Sequence, residues 1–286
     1  MIYSNIYGGL GNQMFQYAIA KNISILNNVC FKLDVAKMNN SYLRDYSLKK
    51  FNISNVIASL EEVKKFHKNK YYNYILRELQ QKNILLGNKY YEKLELIFDK
   101  KVLSLQSGYL EGYWQSFKYF ENIRDVLLKD FTLAEEMNFE NKLIYNEIIS
   151  TNSISIHIRR GDYISNSKNN KIYNVFGLEY YNKAIDFITK QINNPYFYVF
   201  SDDLEWASKY LNLSNVTYVG INSSKNPEND LVLMSYCKHN IIANSTFSWW
   251  AAWLNQNQNK IIIAPKKWMS TVNNLDDLYP QTWIRM

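Results

Sequence analysis

SISIHIRRGDY, residues 153–163, is the stretch on which the fold turns. From Ser153 to Arg159 apolar and polar side chains alternate strictly, so Ile154, Ile156 and Ile158 share one face of a strand and Ser155, His157 and Arg159 the other. The run then turns at Gly161. Downstream, residues 196–200, 216–219, 240–243 and 260–264 read as further strands. Tyr181, Ile185, Ile188 and Ile192 share a face of a helix predicted over 178–192, and helical patterns recur near 204–210, 230–237 and 248–254. Strands alternating with helices predict an α/β domain with a mostly parallel sheet covered on both faces.

The N-terminal end opens in the same way. A β-type run over 2–7 stops at Gly8-Gly9-Leu10-Gly11, then Phe15, Ile19, Ile23 and Leu26 recur at helical spacing, and residues 30–34 form a second strand. Residues 43–147, rich in Lys, Asn, Tyr and Glu, read as helices and loops. The polar stretch before the alternating strand sets a boundary near 150, giving domains over 1–150 and 151–286. With no repeat and no low-complexity linker, the two are expected to pack closely and face a central cleft.

A hydrophobic content of 47% over 286 residues is enough for a real core, which argues against disorder. The net charge of +7 suits a nucleotide, a nucleic acid or an anionic membrane surface without choosing among them. Cys30 and Cys237 stand in separate apolar segments and read as two buried thiols rather than a disulfide or a metal site. The first glycines come too early for a signal peptide, and no run approaches the roughly 20 apolar residues of a membrane span. A cytoplasmic enzyme is the expectation. Asn215-Val216-Thr217 therefore carries no weight as a glycosylation site.

Arg159 ends a strand of an open α/β sheet, where ligands bind, and its planar fork matches phosphate oxygens bidentately. The bland alternative is that Arg159 merely pairs with Asp162 near the surface. Asn244-Ser245-Thr246-Phe247-Ser248-Trp249-Trp250 follows an apolar strand and opens an aromatic helix, whose hydroxyls and N–H groups could hold an anion. Ser245 and Thr246 could equally do no more than cap that helix, and the tryptophans read as core. Gly8-Gly9-Leu10-Gly11-Asn12-Gln13 permits close backbone approach to a ligand, but Met14 stands at the third glycine position of a dinucleotide fingerprint. Asp34, a lone acid at a strand end, reads as structural. Ser201-Asp202-Asp203 ends another strand and could hydrogen-bond a base or ribose; it is not an Asp-X-Asp metal motif, and no cluster has metal-ligand spacing. His67 reads as solvated and His239 as a helix C-terminal residue.

Taken together, residues 8–17, 157–163 and 233–254 resemble the α-1,2-fucosyltransferases grouped as glycosyltransferase family 11. The resemblance implies a GT-B-like α/β fold of two Rossmann-like domains facing a central cleft, an N-terminal acceptor-side domain over 1–150 and a C-terminal GDP-fucose-binding domain over 151–286, with no metal and no cofactor beyond the donor substrate, GDP-fucose. It implies inverting transfer of L-fucose to a galactose hydroxyl, the 2-hydroxyl, of a galactose-containing oligosaccharide or lipid-linked glycan such as an O-antigen precursor. In that picture Arg159 contacts the β-phosphate, His157 and Asp202 or Asp203 lie near the nucleoside, and Asn244, Ser245, Thr246 and Phe247 support the donor. Gly9, Gly11, Asn12 and Gln13 face the reacting sugar, Asn12 being the catalytic candidate among them. Asp162 is the candidate general base. A soluble enzyme of this kind could touch the inner face of the membrane peripherally. The competing enzymatic readings are an α-1,6-fucosyltransferase or a transferase of another nucleotide-sugar. The non-enzymatic ones are a sugar-binding protein or a nucleic-acid-binding protein, the last disfavoured because the basic residues are scattered.

Overall fold

The computed structural model describes residues 1–39, 45–53, 56–67, 70–81, 88–93 and 95–286. They form two units, Met1–Ala134 and Glu135–Met286. The division falls before 150 because helix Phe139–Ser150 belongs to the second unit: Tyr145 lies edge-on to Tyr236 at 4.8 Å, and Asn141 Nδ2 donates to Asn222 Oδ1 at 2.9 Å.

In unit 1, strand β1 (Ile2–Asn5) runs into Gly8, whose φ of +83° is open to glycine and costly to other residues. A Cβ there would meet Asn12 Nδ2 at 2.8 Å. Gly9 caps helix Leu10–Asn27, which buries Met14, Phe15, Tyr17, Ala18 and Ile19 and ends at Asn28 in the left-handed region. The chain returns through β2 (Phe31–Asp34), then β3 (Lys89–Tyr91) and β4 (Gly108–Glu111). All pairings are parallel, in the order β2-β1-β4-β3. Two of the four strands thus lie in the stretch read as helices and loops.

Unit 2 is built on β5 (Asn152–Ile158), β6 (Pro195–Ser201), β7 (Val216–Val219), β8 (His239–Ile241), β9 (Ile262–Ala264) and β10 (Ile284–Arg285). The sheet is parallel throughout, in the order β10-β9-β8-β5-β6-β7, the strand order of a doubly wound nucleotide-binding fold. Helices Leu178–Thr189, Leu204–Tyr210, Pro227–Tyr236 and Thr246–Leu254 lie close to their predicted places. β5 is buried on both faces, Ile154, Ile156, Ser155 and His157 alike, because it is central and helices cover both sides. Trp249, Trp250 and Trp253 are core, as expected.

Three expectations need correcting. Cys237 is buried but Cys30 is exposed. His239 opens β8 instead of closing a helix, and its Nδ1 accepts from Ile261 N at 3.0 Å. His67 is not merely solvated: its Nε2 lies 2.6 Å from Asp34 Oδ2, a buried carboxylate that also accepts from Tyr109 Oη and Ala36 N. Among the described residues no helix is long and apolar enough to cross a membrane, and no group of three or more His, Cys, Asp or Glu side chains is placed to hold a metal.

Candidate functional site

In unit 2 the chain steps outward from β5 through β6 and β7 on one side, and from β8 through β9 and β10 on the other. Loops leaving β5 and β8 therefore diverge, and the crevice beyond their carboxyl ends is where such sheets bind ligands. Arg159 and Arg160 follow β5, and Asn244, Ser245 and Thr246 follow β8, its hydrogen-bonded neighbour. The two strongest segments of the sequence meet at this point.

Two ion pairs organise the β5 side. Arg159 Nη1 lies 2.8 Å from Asp202 Oδ2, and Arg160 Nε donates to Asp203 Oδ2 at 3.0 Å. Asp202 Oδ1 also accepts from Arg160 N at 2.8 Å, while the Arg160 guanidinium lies 4.0 Å over the Trp206 ring. Asp203 caps helix Leu204–Tyr210 through Trp206 N. A carboxylate does pair with Arg159, as in the bland reading, but it is Asp202. Gly161 starts helix Gly161–Ser165, and a Cβ there would come within 2.8 Å of Asp202 Oδ2. The side chain of Asp162 lies outside those described.

The β8 side is held from within. His157 is 6% exposed, with Nδ1 2.9 Å from Ser248 Oγ and its ring 5.4 Å from that of Phe247. Burial pushes its pKa down to about 4, Asp202 opposing and Arg159 reinforcing the shift, so the imidazole is neutral. It ties β5 to helix Thr246–Leu254. Asn244 Nδ2 donates to Tyr173 O and Trp268 O, both at 2.8 Å, and Tyr163 Oη donates to Asn244 O at 3.1 Å. Asn244 is thus a buried clamp. Ser245 occupies the N-cap position yet its side chain makes no cap bond, and the first turn has no acidic residue. Ser245, Thr246 and Phe247 are partly exposed, so this helix start offers hydroxyls and N–H groups outward. A cavity of about 60 Å³ has Arg159, Arg160, Tyr163, Tyr173, Trp206 and Asn244 in its wall. Tyr173 and Trp206 escaped the sequence reading; Trp206, one helical step after Asp203, had a legible spacing and Tyr173 did not.

In unit 1, Gly9 and Asn12 are partly exposed, and Asn12 Oδ1 accepts from Gln115 Nε2 at 3.0 Å. Gly11 and Gln13, which the resemblance sets facing the reacting sugar, are buried. Gln13 Nε2 donates to Gly8 O and Asp45 O, and its Oε1 accepts from Ser47 N. Its side chain pins the chain around 45–47.

A family model described as glycosyl transferase family 11 matches residues 1–286. The chain is 37% identical over 309 residues to the O-antigen biosynthesis glycosyltransferase WbnK of Escherichia coli, with all of both chains covered. It is 37% identical over 294 residues to an alpha-1,2-colitosyltransferase of E. coli, covering 100% of this chain and 99% of that one. Among solved structures, NodZ alpha-1,6-fucosyltransferase soaked with GDP-fucose aligns with a TM-score of 0.54 at 14% identity, over 88% of this chain and 91% of that one. That likeness is one of fold, which is α/β and GT-B-like.

Proposed function

The chain belongs to glycosyl transferase family 11, and from that premise we propose that it transfers L-fucose from GDP-fucose to the 2-hydroxyl of a galactose, with inversion and without a metal. The acceptor in this reading is a cell-surface glycan precursor such as an O-antigen unit. The observation that carries it is the meeting of Arg159 and the uncapped Ser245-Thr246 helix start at one switch point.

The acceptor oxygen forms a bond to fucose C1 from the face opposite the leaving group, and the bond from C1 to the β-phosphate oxygen breaks with its electron pair on GDP. The acceptor proton passes to a base, for which Asp162 is the candidate, or to water. Negative charge grows on the phosphate as the bond breaks, and a fixed guanidinium with helix-end N–H groups lowers the barrier by stabilising it. Arg159 then turns from Asp202 toward the diphosphate. Asp202 and Asp203 are acceptors suited to the hydroxyls of the nucleoside.

A second reading is favoured by the full-length identity to a colitosyltransferase. Colitose lacks the 3-hydroxyl of fucose, so the two donors differ by one polar group. The test is purified protein supplied with GDP-fucose or GDP-colitose and a set of galactosides, followed by linkage analysis. An α-1,2-fucosylated galactoside with release of GDP is expected. Preferential turnover of GDP-colitose would transfer the reading to colitose, whereas preference for GDP-mannose or a UDP-sugar, or an α-1,6 product, would overturn it.

A further inference from the structure

The rule that locates the site in unit 2 applies separately to unit 1. There the chain moves from β1 outward to β2, while β4 and β3 lie on the other side, so the switch point falls between β1 and β4. Two residues beyond the end of β1 stands Tyr7, and two beyond the end of β4 stands Tyr113. Both are partly exposed, and their ring centroids are 4.8 Å apart, tilted by 45°. The last residues of the same strands meet as well, Asn5 Nδ2 donating to Glu111 Oε1 at 2.7 Å, while Lys89 Nζ stands 3.3 Å from Glu111 Oε2. Asn5 Oδ1, on the same fully buried amide, has no hydrogen-bond partner among the described residues.

The loops that present these groups are held rigidly. Gln16 Oε1 accepts from Tyr7 N at 3.0 Å and Gln16 Nε2 donates to Gly112 O at 3.2 Å, linking the two strand ends. Glu92 accepts from Tyr113 N at 2.6 Å and from Trp114 N at 3.0 Å. Burial and the neighbouring Tyr113, Glu111 and Glu92 push the Tyr7 phenol up, so it keeps its proton as a donor at neutral pH. A pair of aromatic faces beside an oriented carboxylate, on preorganised loops, is chemistry suited to a pyranose. Its C–H face packs on rings and its hydroxyls donate to carboxylate oxygens. Galactose, whose axial 4-hydroxyl leaves one face of the ring apolar, fits best.

We infer that the carboxyl ends of β1 and β4 form a galactoside-binding subsite, with Tyr7 and Tyr113 as its platform and Glu111 as the acceptor of a sugar hydroxyl. This rests on the glycosyl-transfer reading above and adds the residues that hold the acceptor. The experiment is ligand-observed NMR of the full chain with methyl β-D-galactoside and, separately, with GDP, for wild type, Tyr113→Leu and Glu111→Gln. Wild type should bind both probes. The variants should bind GDP as wild type does while galactoside affinity falls about tenfold or more, and the acceptor KM should rise without the donor KM. A wild-type far-UV circular dichroism spectrum and a cooperative unfolding transition of full amplitude certify the fold of unit 1 in a variant, retained GDP binding does so for unit 2, and if Tyr113→Leu fails either check, Tyr7→Leu replaces it. Undiminished galactoside binding in folded variants, or none by wild type, overturns the subsite. Loss of GDP-fucose turnover on every acceptor by a wild type that binds galactoside would instead overturn the proposed function and leave the subsite standing.

Discussion

Arg159 stands between two partners of one sign, the Asp202 carboxylate that it touches and the diphosphate assigned to it. A guanidinium carries five N–H donors in a plane and can meet two phosphate oxygens at once, which an ammonium cannot. Arg159→Lys should therefore keep the charge and the fold yet lower kcat on the order of a hundredfold, the scale of removing one preorganised donor. A folded variant turning over GDP-fucose near the wild-type rate would remove the phosphate role. His157 behaves differently. Its pKa is pushed down to about 4, below the 6.5 of an unfolded histidine, so between those values the unfolded chain binds more protons than the native one and stability falls as pH falls. By pH 5 the loss is on the order of 2 kcal/mol. Denaturant midpoints at pH 7 and pH 5 should separate in wild type and draw together in His157→Gln. Equal separations in both would show that this histidine is not what titrates.

At the scale of elements, legibility followed length and pattern. β5 and β6, seven residues each with three or more large apolar side chains, stood out in the sequence, and so did the helix spacing that follows. β3 has three residues, Lys89-Tyr90-Tyr91, and β4 has four, Gly108-Tyr109-Leu110-Glu111; neither carries enough alternation to distinguish a strand from a loop. β10 has two. These strands exist because a parallel neighbour supplies their hydrogen bonds, information that no local window contains. The same limit explains His157 and Gln13. The resemblance sets His157 near the nucleoside, but a central strand is covered on both sides, and the imidazole bonds Ser248 inside the unit. Gln13, in a turn that the resemblance sets facing the reacting sugar, is held by the backbone of Asp45 and Ser47, more than thirty positions away. Arg159, one residue beyond β5, and Ser245, four beyond β8, lie past the strand ends and are partly exposed. The topological rule did what motifs could not for Tyr7 and Tyr113, which flank a switch point visible only once β4 is known.

Over the whole molecule, 33 basic residues against 26 acidic ones give a net charge of +7, which favours the approach of an anionic donor. Near the site the balance is closer, since Arg159 and Arg160 face Asp202 and Asp203 in two ion pairs. Long-range attraction and short-range stabilisation therefore have different sources. The first is screened by salt over a Debye length of about 8 Å at physiological ionic strength, while the second acts at contact, in a partly buried place where screening is weak. Both acidic side chains beside the arginines are held by guanidinium groups, and the charge-neutralising part in the proposed reaction falls to Arg159 and the start of helix Thr246–Leu254. The expected outcome is a kcat unchanged by excess chelator, together with a donor KM that rises several-fold as salt is raised from about 50 to about 500 mM. If chelation abolished turnover and Mg²⁺ or Mn²⁺ restored it, a bound cation and not the guanidinium would be neutralising the departing diphosphate, and the order of roles argued for β5 and β8 would have to be redrawn.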